Sequence, residues 1–403
     1  MGSTKTFMTI CAVRRVGIRM KNVFIVGSKG IPGSYGGYES FVDNLTRLHG
    51  GSSKIKYHVA CKSTENGEFS YNHARCFKVK VPNIGPAQGI YYDVMALRNC
   101  CKYIENNKVE TPIVYILACR IGPFTKFFQK KIHKMGGKLF LNPDGHEWKR
   151  AKWSWPVRKY WKISEKGMVK HSDLIICDSK KIEDYILETY KGISLKTTFI
   201  PYGAEVKKSK IKQEDEVLQK WYKKNKISSN RYCLIVGRLV PENNYETMVI
   251  EYMKSKLEKD LVLITDHNDY LRKLKRRTNY EQDGRIKFVG TVYDQELLKK
   301  IRENAYAYIH GHEVGGTNPS LLEALASTKI NLLLDVGFNR EVAKEGALYW
   351  SKEKGDLSKL LDERIHLDDQ QRDELGAKAK NRIESSYSWE HIGREYEKVF
   401  LFE

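Results

Sequence analysis

Short apolar runs that end in glycine or polar residues recur along the chain from residue 21 onward. The first run, 21–27, is rich in β-branched residues and leads into a glycine-rich segment. Similar runs follow at 57–61, 112–117, 138–141 and 174–177, with segments of helical periodicity such as 39–48 and 93–104 between them. Buried parallel strands are continuous apolar runs, and strands that alternate with helices form a parallel sheet with helices on both faces. This part of the chain is therefore predicted to be an α/β domain.

A second series of the same kind begins at residues 232–237. Further apolar runs follow at 261–265, 286–289, 305–310 and 330–334. Between the two series, Pro201 and Gly203 precede a charged, weakly apolar stretch, and we expect the interdomain hinge there. We predict two Rossmann-like, doubly wound parallel-sheet domains that face each other across a cleft. Their predicted bounds are 21–203 and 204–385, with a loose extension at 1–20 and a final helix at 386–403.

Composition agrees with two packed domains, because 41% of the 403 residues are hydrophobic. No apolar run approaches the ~18–20 residues of a membrane-spanning helix. The run at 7–13 is too short for a signal peptide and is followed by Arg14 and Arg15. The eight cysteines show no CxxC spacing, which favours free, buried, reduced thiols in the cytosol. We therefore expect a cytoplasmic protein.

Charge is the unusual bulk property of the chain. The 70 Lys and Arg residues against 49 Asp and Glu residues give a net charge of +21. Such an excess favours a polyanionic partner, either a nucleic acid or an anionic membrane surface. Charge alone does not choose between the two.

A glycine-rich segment follows the first predicted strand, and five of the eleven residues from 27 to 37 are glycine. Gly36 and Gly37 are expected to open a helix whose free N–H groups favour negative charge. The spacing is neither a Walker A loop nor a dinucleotide fingerprint. An ordinary flexible loop is the alternative, but loops at strand ends in doubly wound folds commonly bind ligand.

The segment 142–150 follows another apolar run and concentrates polar chemistry. It contains Asp144, His146, Glu147, Lys149 and Arg150. At the carboxyl end of a parallel strand, Asp144 is placed to orient or deprotonate a hydroxyl group. The alternative is a helix N-terminus with Asp144 as the cap and Glu147 completing a capping box.

Arg238 stands directly after the first strand of the second series, beside a predicted helix start. A guanidinium group at this place suits bidentate binding of a diphosphate. The alternative is a surface arginine in a turn that ends at Pro241.

A second glycine-rich turn follows the apolar run that ends at His310. Its backbone N–H groups are expected to face an anion, and they belong to Gly315, Gly316, Thr317 and Asn318. Glu323 lies about one turn inside the following helix and is placed to accept hydrogen bonds from ribose hydroxyls. His310, His312 and Glu313 suggest a metal site, but an i, i+2 spacing before glycines lacks the geometry of a helical site, so we predict none.

In this order, the motifs resemble those of the GT-B glycosyltransferases of family 4, and within it the bacterial rhamnosyltransferases of capsule and cell-wall polysaccharide assembly. The resemblance covers about residues 21–400 and rests on four segments. They are 27–39 with Phe41, 144–150, 237–245 and 314–326. The segment 387–390 resembles the start of the family's final helix, which crosses back onto the N-terminal domain.

The resemblance implies a retaining, metal-independent enzyme without a cofactor, in which protein cations and helix dipoles replace the metal ion. Asp144 is the implied catalytic residue. The implied donor-binding residues are Gly36, Gly37, Arg238, Asn243, Gly315, Gly316, Thr317, Asn318 and Glu323. The implied acceptor-binding residues are Tyr35, His146, Glu147, Lys149 and Arg150.

Three departures from the broad family concern the donor sugar. Gly315 stands where many members have a glutamate, Asn243 where they have a lysine, and Asp144 where they have a histidine. The same substitutions resemble the rhamnosyl branch, whose donor is dTDP-L-rhamnose and whose acceptor is a lipid-diphosphate-linked saccharide. UDP-glucose, UDP-N-acetylglucosamine and GDP-mannose are the alternative donors.

The segment 148–170 contains eight Lys and Arg residues, one acidic residue and five aromatic residues. A basic, aromatic, amphipathic helix suits an anionic membrane interface, so we expect peripheral attachment to the inner face of the cell membrane. A partly buried helix with a solvated basic edge is the alternative.

Two other classes of protein are disfavoured. A nucleic-acid-binding module would require a localised motif, whereas the basic residues are spread over both predicted domains, so no nucleic-acid partner is expected. A dinucleotide-dependent oxidoreductase would require an acidic residue at the end of the second strand, which is lacking.

Overall fold

The computed structural model describes residues 20–33, 37–51, 54–145, 147–149, 153–314 and 317–403. Within these residues the first apolar series forms an eight-stranded sheet with the order β3-β4-β2-β1-β5-β6-β7-β8. Its strands are β1 (Lys21–Val26), β2 (Ile55–Ser63), β3 (Gly67–Tyr71), β4 (Ala74–Lys80), β5 (Ile113–Leu117), β6 (Lys138–Asn142), β7 (Leu174–Cys177) and β8 (Thr197–Phe199). The helices between them are α1 (Gly37–His49), α2 (Gln88–Asn106), α3 (Gly122–Lys134), α4 (Trp155–Lys170) and α5 (Lys180–Thr189).

The edge of this sheet differs from the prediction of an all-parallel sheet. Strand β3 pairs with β4 in antiparallel orientation. The two strands join at Asn72 and His73, which both have positive φ, as tight hairpins require. β3 has no buried residue, so it carries no apolar run by which the sequence could have indicated it.

The second apolar series forms a six-stranded sheet within the described residues, and all of its strand pairs are parallel. Its strands are β9 (Tyr232–Val236), β10 (Asp260–Ile264), β11 (Ile286–Phe288), β12 (Ala307–His310), β13 (Asn331–Leu334) and β14 (Leu348–Trp350). The strand order is β11-β10-β9-β12-β13-β14. The predicted fold of two doubly wound domains is confirmed.

Eight helices accompany the second sheet within the described residues. They are α6 (Glu216–Asn225), α7 (Tyr245–Lys254), α8 (Asp269–Thr278), α9 (Gln295–Glu303), α10 (Pro319–Ser327), α11 (Gly337–Ala343), α12 (Asp356–Lys359) and α13 (Asp369–Ser386). Helix α6 lies in the stretch that was expected to be the hinge. Its Leu218 and Tyr222 are buried in the same hydrophobic cluster as Tyr232 of β9, so this part of the stretch packs on the second sheet.

The last helix, α14 (Trp389–Phe402), packs on the first sheet although it follows the second in sequence. Its residues Ile392, Tyr396 and Phe400 are fully buried in the hydrophobic cluster that contains β1 and β5. The hydroxyl groups of Tyr396 and Tyr115 lie 3.2 Å apart. The chain therefore crosses between the two sheets twice.

Both sheets reverse their winding direction at the point where a central strand has neighbours on either side. These points lie between β1 and β5 in the first sheet and between β9 and β12 in the second. Ligands of open α/β sheets bind outside the carboxyl ends of strands at such points. The loops after these four strands are therefore the expected ligand-binding segments.

The state of the cysteines and the length of the apolar helices were both predicted from the sequence. The seven cysteines among the described residues are all free and buried, as expected. No helix in the described part of the chain is long and apolar enough to cross a membrane.

Candidate active site

A cleft of about 1240 Å³ lies between the carboxyl ends of the two sheets. Loops after β1, β5, β6 and β7 line one wall, and loops after β9, β10 and β12 line the other. The cleft thus brings together residues that the sequence placed at separate strand ends.

Arg238 projects from the end of β9 into the cleft with an exposed side chain. Its guanidinium group has no hydrogen-bond or carboxylate partner among the described residues. Asn243, which also lines the cleft, donates from its buried amide to the backbone carbonyl of Arg238 at 2.8 Å. Asn243 therefore fixes the backbone that carries the guanidinium group, and its predicted contact with the donor stays a prediction.

The turn before α10 is only partly described, because Gly315 and Gly316 lie outside the described residues. Asn318 caps α10, since its side chain accepts hydrogen bonds from the backbone N–H groups of Ser320 and Leu321 at 2.9 and 3.3 Å. The hydroxyl of Thr317 donates across the cleft to the backbone carbonyl of Asp178. Both residues line the cleft, and their predicted contacts with the donor stay predictions.

Glu323 lines the same wall but is already paired. One of its carboxylate oxygens lies 2.5 Å from the guanidinium group of Arg302, whose side chain is almost fully buried. Arg302 also lines the cleft and orients Glu323. No sequence motif indicated Arg302, because it lies in the last turn of α9 and meets Glu323 only in the folded chain.

His310 and His312 stack on each other with ring centroids 4.2 Å apart and planes inclined by 8°. Burial, followed by the proximity of His312, lowers the pKa of His310 well below its usual value. Among the described residues no three His, Cys, Asp or Glu side chains cluster as metal ligands do. Metal independence stays a prediction.

The glycine-rich loop after β1 is bound to helix α1 by carboxylates. The backbone N–H of Lys29 donates to Glu39 at 2.7 Å, and that of Gly33 donates to Asp43 at 2.8 Å. These two loop N–H groups are therefore already bonded, and the predicted anion contact of the helix N-terminus at Gly36 and Gly37 stays a prediction. Gly37 opens α1 and lines the cleft, whereas Tyr35 and Gly36 lie outside the described residues.

A buried ion pair that no motif indicated supports the same loop. The guanidinium group of Arg120, just after β5, donates to Asp93 at 2.7 Å and also to the backbone carbonyl of Gly27. Burial raises the pKa of Asp93, and the charge of Arg120 opposes this shift. The pair fixes the start of the glycine loop at the sheet's reversal point.

Asp144 lies at the carboxyl end of β6 with a positive φ of 63°. Its backbone N–H donates to the side chain of Asn142 at 2.9 Å, and its side chain lines the cleft opposite the wall of Arg238. Among the described residues only the short 3-10 turn Glu147–Lys149 lies between Asp144 and α4, which begins at Trp155, so a cap by Asp144 would belong to that turn and the capping alternative stays open. Sparsely populated backbone conformations cluster at functional sites, which agrees with the predicted role of Asp144.

The other predicted acceptor-binding residues have mixed positions. Glu147 lines the cleft, is buried, and accepts a hydrogen bond from the indole N–H of Trp153 at 2.9 Å. Lys149 does not line the cleft, and its ammonium group lies 5.3 Å from the ring centre of Trp148. His146 and Arg150 lie outside the described residues.

Two doubly wound domains that face each other across a cleft give this protein the GT-B fold. Residues 219–382 match the family Glycosyl transferases group 1, and residues 20–205 match a domain of unknown function, DUF1972. The chain therefore carries a group 1 glycosyltransferase domain, and the prediction of a transferase enzyme is confirmed at that level.

Two curated proteins are similar over part of their length. An uncharacterized glycosyltransferase of Methanocaldococcus jannaschii is 28% identical over 257 residues, which cover 60% of this chain and 61% of that protein. The O-antigen chain mannosyltransferase RfbU of Salmonella typhimurium is 27% identical over 191 residues, which cover 47% of this chain and 50% of that protein. The chain thus spans less than two thirds of the length of both relatives.

Solved structures agree over nearly the whole chain. Sucrose-phosphate synthase from Thermosynechococcus elongatus has a TM-score of 0.74 at 15% identity, over 95% of this chain and 98% of that one. HepE from Anabaena, in complex with UDP-glucose, has a TM-score of 0.69 at 13% identity, over 94% of this chain and 99% of that one. At these identities the likeness shows the fold.

Proposed function

We propose that this protein is a retaining rhamnosyltransferase that moves L-rhamnose from dTDP-rhamnose to a lipid-diphosphate-linked saccharide in surface-polysaccharide assembly. The observation that supports glycosyl transfer is that the two walls of one cleft carry different chemical groups. An unpartnered guanidinium group, that of Arg238, lies on one wall, and the carboxylate-bearing loop of Asp144 lies on the other. A sugar diphosphate matches these walls, because its diphosphate is anionic and suits the guanidinium group, and its sugar is neutral and offers hydroxyl groups to the carboxylate.

In the proposed reaction, Arg238 and the N-terminus of α10 stabilise the charge that develops on the leaving diphosphate. The bond between the anomeric carbon and the phosphate oxygen breaks, and the acceptor oxygen bonds to the same face of that carbon. The acceptor proton passes to the leaving phosphate. Asp144 orients the hydroxyl groups beside the reacting carbon.

The choice of rhamnose rests on the resemblance at Asp144, Asn243 and Gly315. Other donors have support of their own, because the Salmonella relative is a mannosyltransferase and the Anabaena structure contains UDP-glucose. GDP-mannose and UDP-glucose are therefore the competing donors in the experiment that follows.

The experiment supplies a panel of nucleotide sugars together with synthetic lipid-diphosphate N-acetylglucosamine or glucose. We expect transfer from dTDP-rhamnose, with the anomeric configuration of the product retained in its NMR spectrum. Transfer from GDP-mannose or UDP-glucose alone would contradict the donor assignment. An inverted product would contradict the retaining mechanism and make Asp144 a general base.

A membrane-bound acceptor requires a membrane-facing surface, and helices α3 and α4 support one on the cytoplasmic side. The helices pack closely, since a Cβ added to Gly122 would lie 2.3 Å from the Ser164 Cα. Their large exposed apolar side chains are Phe124, Phe127, Trp155 and Ile163. Seven exposed lysines on these helices have no carboxylate partner among the described residues: Lys126, Lys130, Lys134, Lys159, Lys162, Lys166 and Lys170.

The expected basic segment 148–170 is thus extended by the two phenylalanines of α3. Its acidic residue, Glu165, is buried and accepts hydrogen bonds from Tyr185 and Tyr190, so it exposes no negative charge on this surface. Pro156, Val157 and Tyr160 in the first turns of α4 also line the cleft. A lipid-linked acceptor held at this surface would therefore have its saccharide close to the cleft.

A further inference from the structure

Asp178 is a buried carboxyl group of the cleft to which no motif assigns a role. It directly follows β7, lines the cleft, and is 3% exposed. Strands β6 and β7 pair Phe140 with Leu174 and Leu141 with Ile175, an offset of 34 residues. The same offset leads from Asp144 to Asp178, so the two carboxyl groups follow neighbouring strand ends.

The ordinary structural roles of a carboxylate at a strand end do not account for Asp178. Helix α5 is capped by the next residue, Ser179, whose side chain accepts from the N–H of Lys181 at 3.2 Å. No cation forms an ion pair with Asp178 in the described part of the chain. Its Oδ1 atom is buried without any hydrogen-bond partner there.

The surroundings of Asp178 make this position costly for stability. Burial, followed by the charge of Asp144, raises the pKa of Asp178 well above its usual value, and the hydroxyl of Tyr202 opposes the shift. A buried carboxyl group that has one oxygen without a hydrogen-bond partner and lies beside another carboxyl group destabilises a fold. Such groups in a cleft are characteristic of functional sites.

The charge distribution of the cleft defines what this group can bind. Two neighbouring carboxyl groups offer acceptor oxygens to hydroxyl groups, whereas the exposed guanidinium group of Arg238 offers donors to phosphate, so the diphosphate belongs at the wall of Arg238. The hydroxyl of Thr317, in the turn predicted to hold that diphosphate, docks on the backbone carbonyl of Asp178. The sugar attached to the diphosphate is the part of the donor that reaches Asp178.

We infer that Asp178 is a second sugar-binding group beside Asp144, and that its Oδ1 atom takes a hydroxyl group of the transferred sugar. This inference rests on the proposed function, because it requires a nucleotide-sugar donor. It adds a specificity-determining residue on the wall opposite the nucleotide.

The test compares the dissociation constants of dTDP and dTDP-rhamnose by calorimetry for the wild type, Asp178→Ala, Asp178→Asn and the control Glu188→Gln. Glu188 is an exposed carboxylate on α5. We expect Asp178→Ala to weaken dTDP-rhamnose binding about tenfold, because a hydrogen bond to a charged or polar partner is lost. Binding of dTDP alone is unchanged, Asp178→Asn retains most of the sugar contribution because its amide oxygen still accepts, and Glu188→Gln resembles the wild type.

Equal ratios of the two constants in the wild type and Asp178→Ala would overturn the inference while leaving the proposed function intact. If Asp178→Ala fails to fold, Asp178→Ser takes its place, because its shorter side chain also withdraws the acceptor atom, and equal ratios of the two constants in Asp178→Ser and the wild type would overturn the inference in the same way. A wild-type protein that binds dTDP-rhamnose, UDP-glucose and GDP-mannose no better than the bare nucleotides would contradict the proposed function, and this inference with it.

Discussion

Arg238 and Glu323 line the same wall of the cleft, but only Glu323 has an oppositely charged partner in the described part of the chain. The guanidinium group of Arg238 is exposed and has no partner among the described residues, whereas Glu323 is paired with the buried Arg302. A group without protein partners contributes little to folding and is free to bind a ligand. Removing Glu323 would instead leave a buried cation without its partner, which destabilises a fold.

Replacement of Arg238 should therefore change the affinity for a nucleoside diphosphate without changing the free energy of unfolding. We expect Arg238→Ala to weaken the binding of a nucleoside diphosphate by about 1.5–3 kcal/mol, because a charged hydrogen bond to phosphate is lost. The free energy of unfolding should stay within about 0.5 kcal/mol of the wild type. Calorimetric titration with dTDP and chemical denaturation measure the two quantities.

Arg231 provides the matched control, because it precedes β9 at the end of the strand opposite to Arg238 and is also exposed. Arg231→Ala should bind dTDP as the wild type does. Equal losses in both variants would mean that general positive charge, and not a defined site, attracts the nucleotide.

Asp178 gives a pH-dependent prediction about stability. Its pKa is raised in the folded protein by burial and by Asp144, with Glu341 acting in the same direction and the Tyr202 hydroxyl in the opposite one. The native state therefore holds this proton at pH values where the unfolded chain, with a pKa of about 3.9, has lost it. Stability from this group is fully present below that pH and is lost as the pH rises through the raised pKa.

Asp178→Asn removes this titration and keeps the shape of the side chain. We expect the variant to gain stability relative to the wild type as the pH rises above about 4, in urea denaturation at a series of pH values. A constant difference between the two proteins across the range would show that Asp178 titrates normally.

At the residue scale, the sequence indicated Arg238 and Asp144 because each directly follows an apolar run that marks a strand. It did not indicate Arg302 or Arg120, and although Asp178 directly follows the apolar run 174–177, its buried position near Asp144 is visible only in the folded chain. The partner of Arg120 lies 27 residues away, and the contact between Thr317 and Asp178 spans 139 residues. Pairings at such separations are set by the packing of the sheets and leave no local pattern.

At the element scale, α14 is the clearest case of tertiary packing. A final helix was expected at 386–403, and its amphipathic face is visible in the sequence. Its return to the first domain is implied by the family resemblance and is observed, and Phe400 there meets the rings of Tyr57, Tyr115 and Phe140. No local pattern of residues indicates these ring contacts, because they join residues far apart in the chain. Helix α14 therefore contributes to the core that supports one wall of the cleft.

The packing of α14 is tested by comparing the loss of a buried phenylalanine with the loss of an exposed one. Phe400→Ala should cost about 3–5 kcal/mol of unfolding free energy, because Phe400 is fully buried and its loss leaves a cavity. Phe402, two residues further along, is 80% exposed, so Phe402→Ala should change stability by less than about 0.5 kcal/mol. Similar losses in denaturant titrations of both variants would contradict the observed packing.

On the scale of the whole molecule, the net charge of +21 allows a nucleic acid or a membrane as partner. The exposed apolar side chains of α3 and α4 favour the membrane, because they gain free energy by entering a lipid interface and gain nothing from phosphates alone. The sequence gives the total charge, and the structure shows where basic and apolar side chains lie together on the surface.

We expect the protein to bind vesicles that contain phosphatidylglycerol, and to bind them less as salt screens the charges. A double variant, Phe124→Ser with Phe127→Ser, should lose at least about tenfold in vesicle affinity, since burying each ring contributes about 1.5–3 kcal/mol. Phe402→Ser, which removes a still more exposed ring from α14, is the control. Sedimentation with vesicles measures binding.

Equal affinities of the double variant and the control would contradict a membrane role for α3. A shift of DNA in a gel at physiological ionic strength would favour the nucleic-acid alternative.

The sequence by itself determined the two doubly wound sheets, their order along the chain, and the polar residues that follow their strands. It could do so because buried strands, helical periodicity and glycine-rich turns are local patterns of adjacent residues. The cleft between the sheets was predicted as well, and the return of the final helix was implied by the family resemblance. Only the tertiary structure decided which side chains meet in the cleft, which rings α14 covers on the first sheet, and that Arg302 and Arg120 hold other residues of the cleft. These features depend on contacts between residues far apart in the chain, and such contacts form only when the two hydrophobic cores pack.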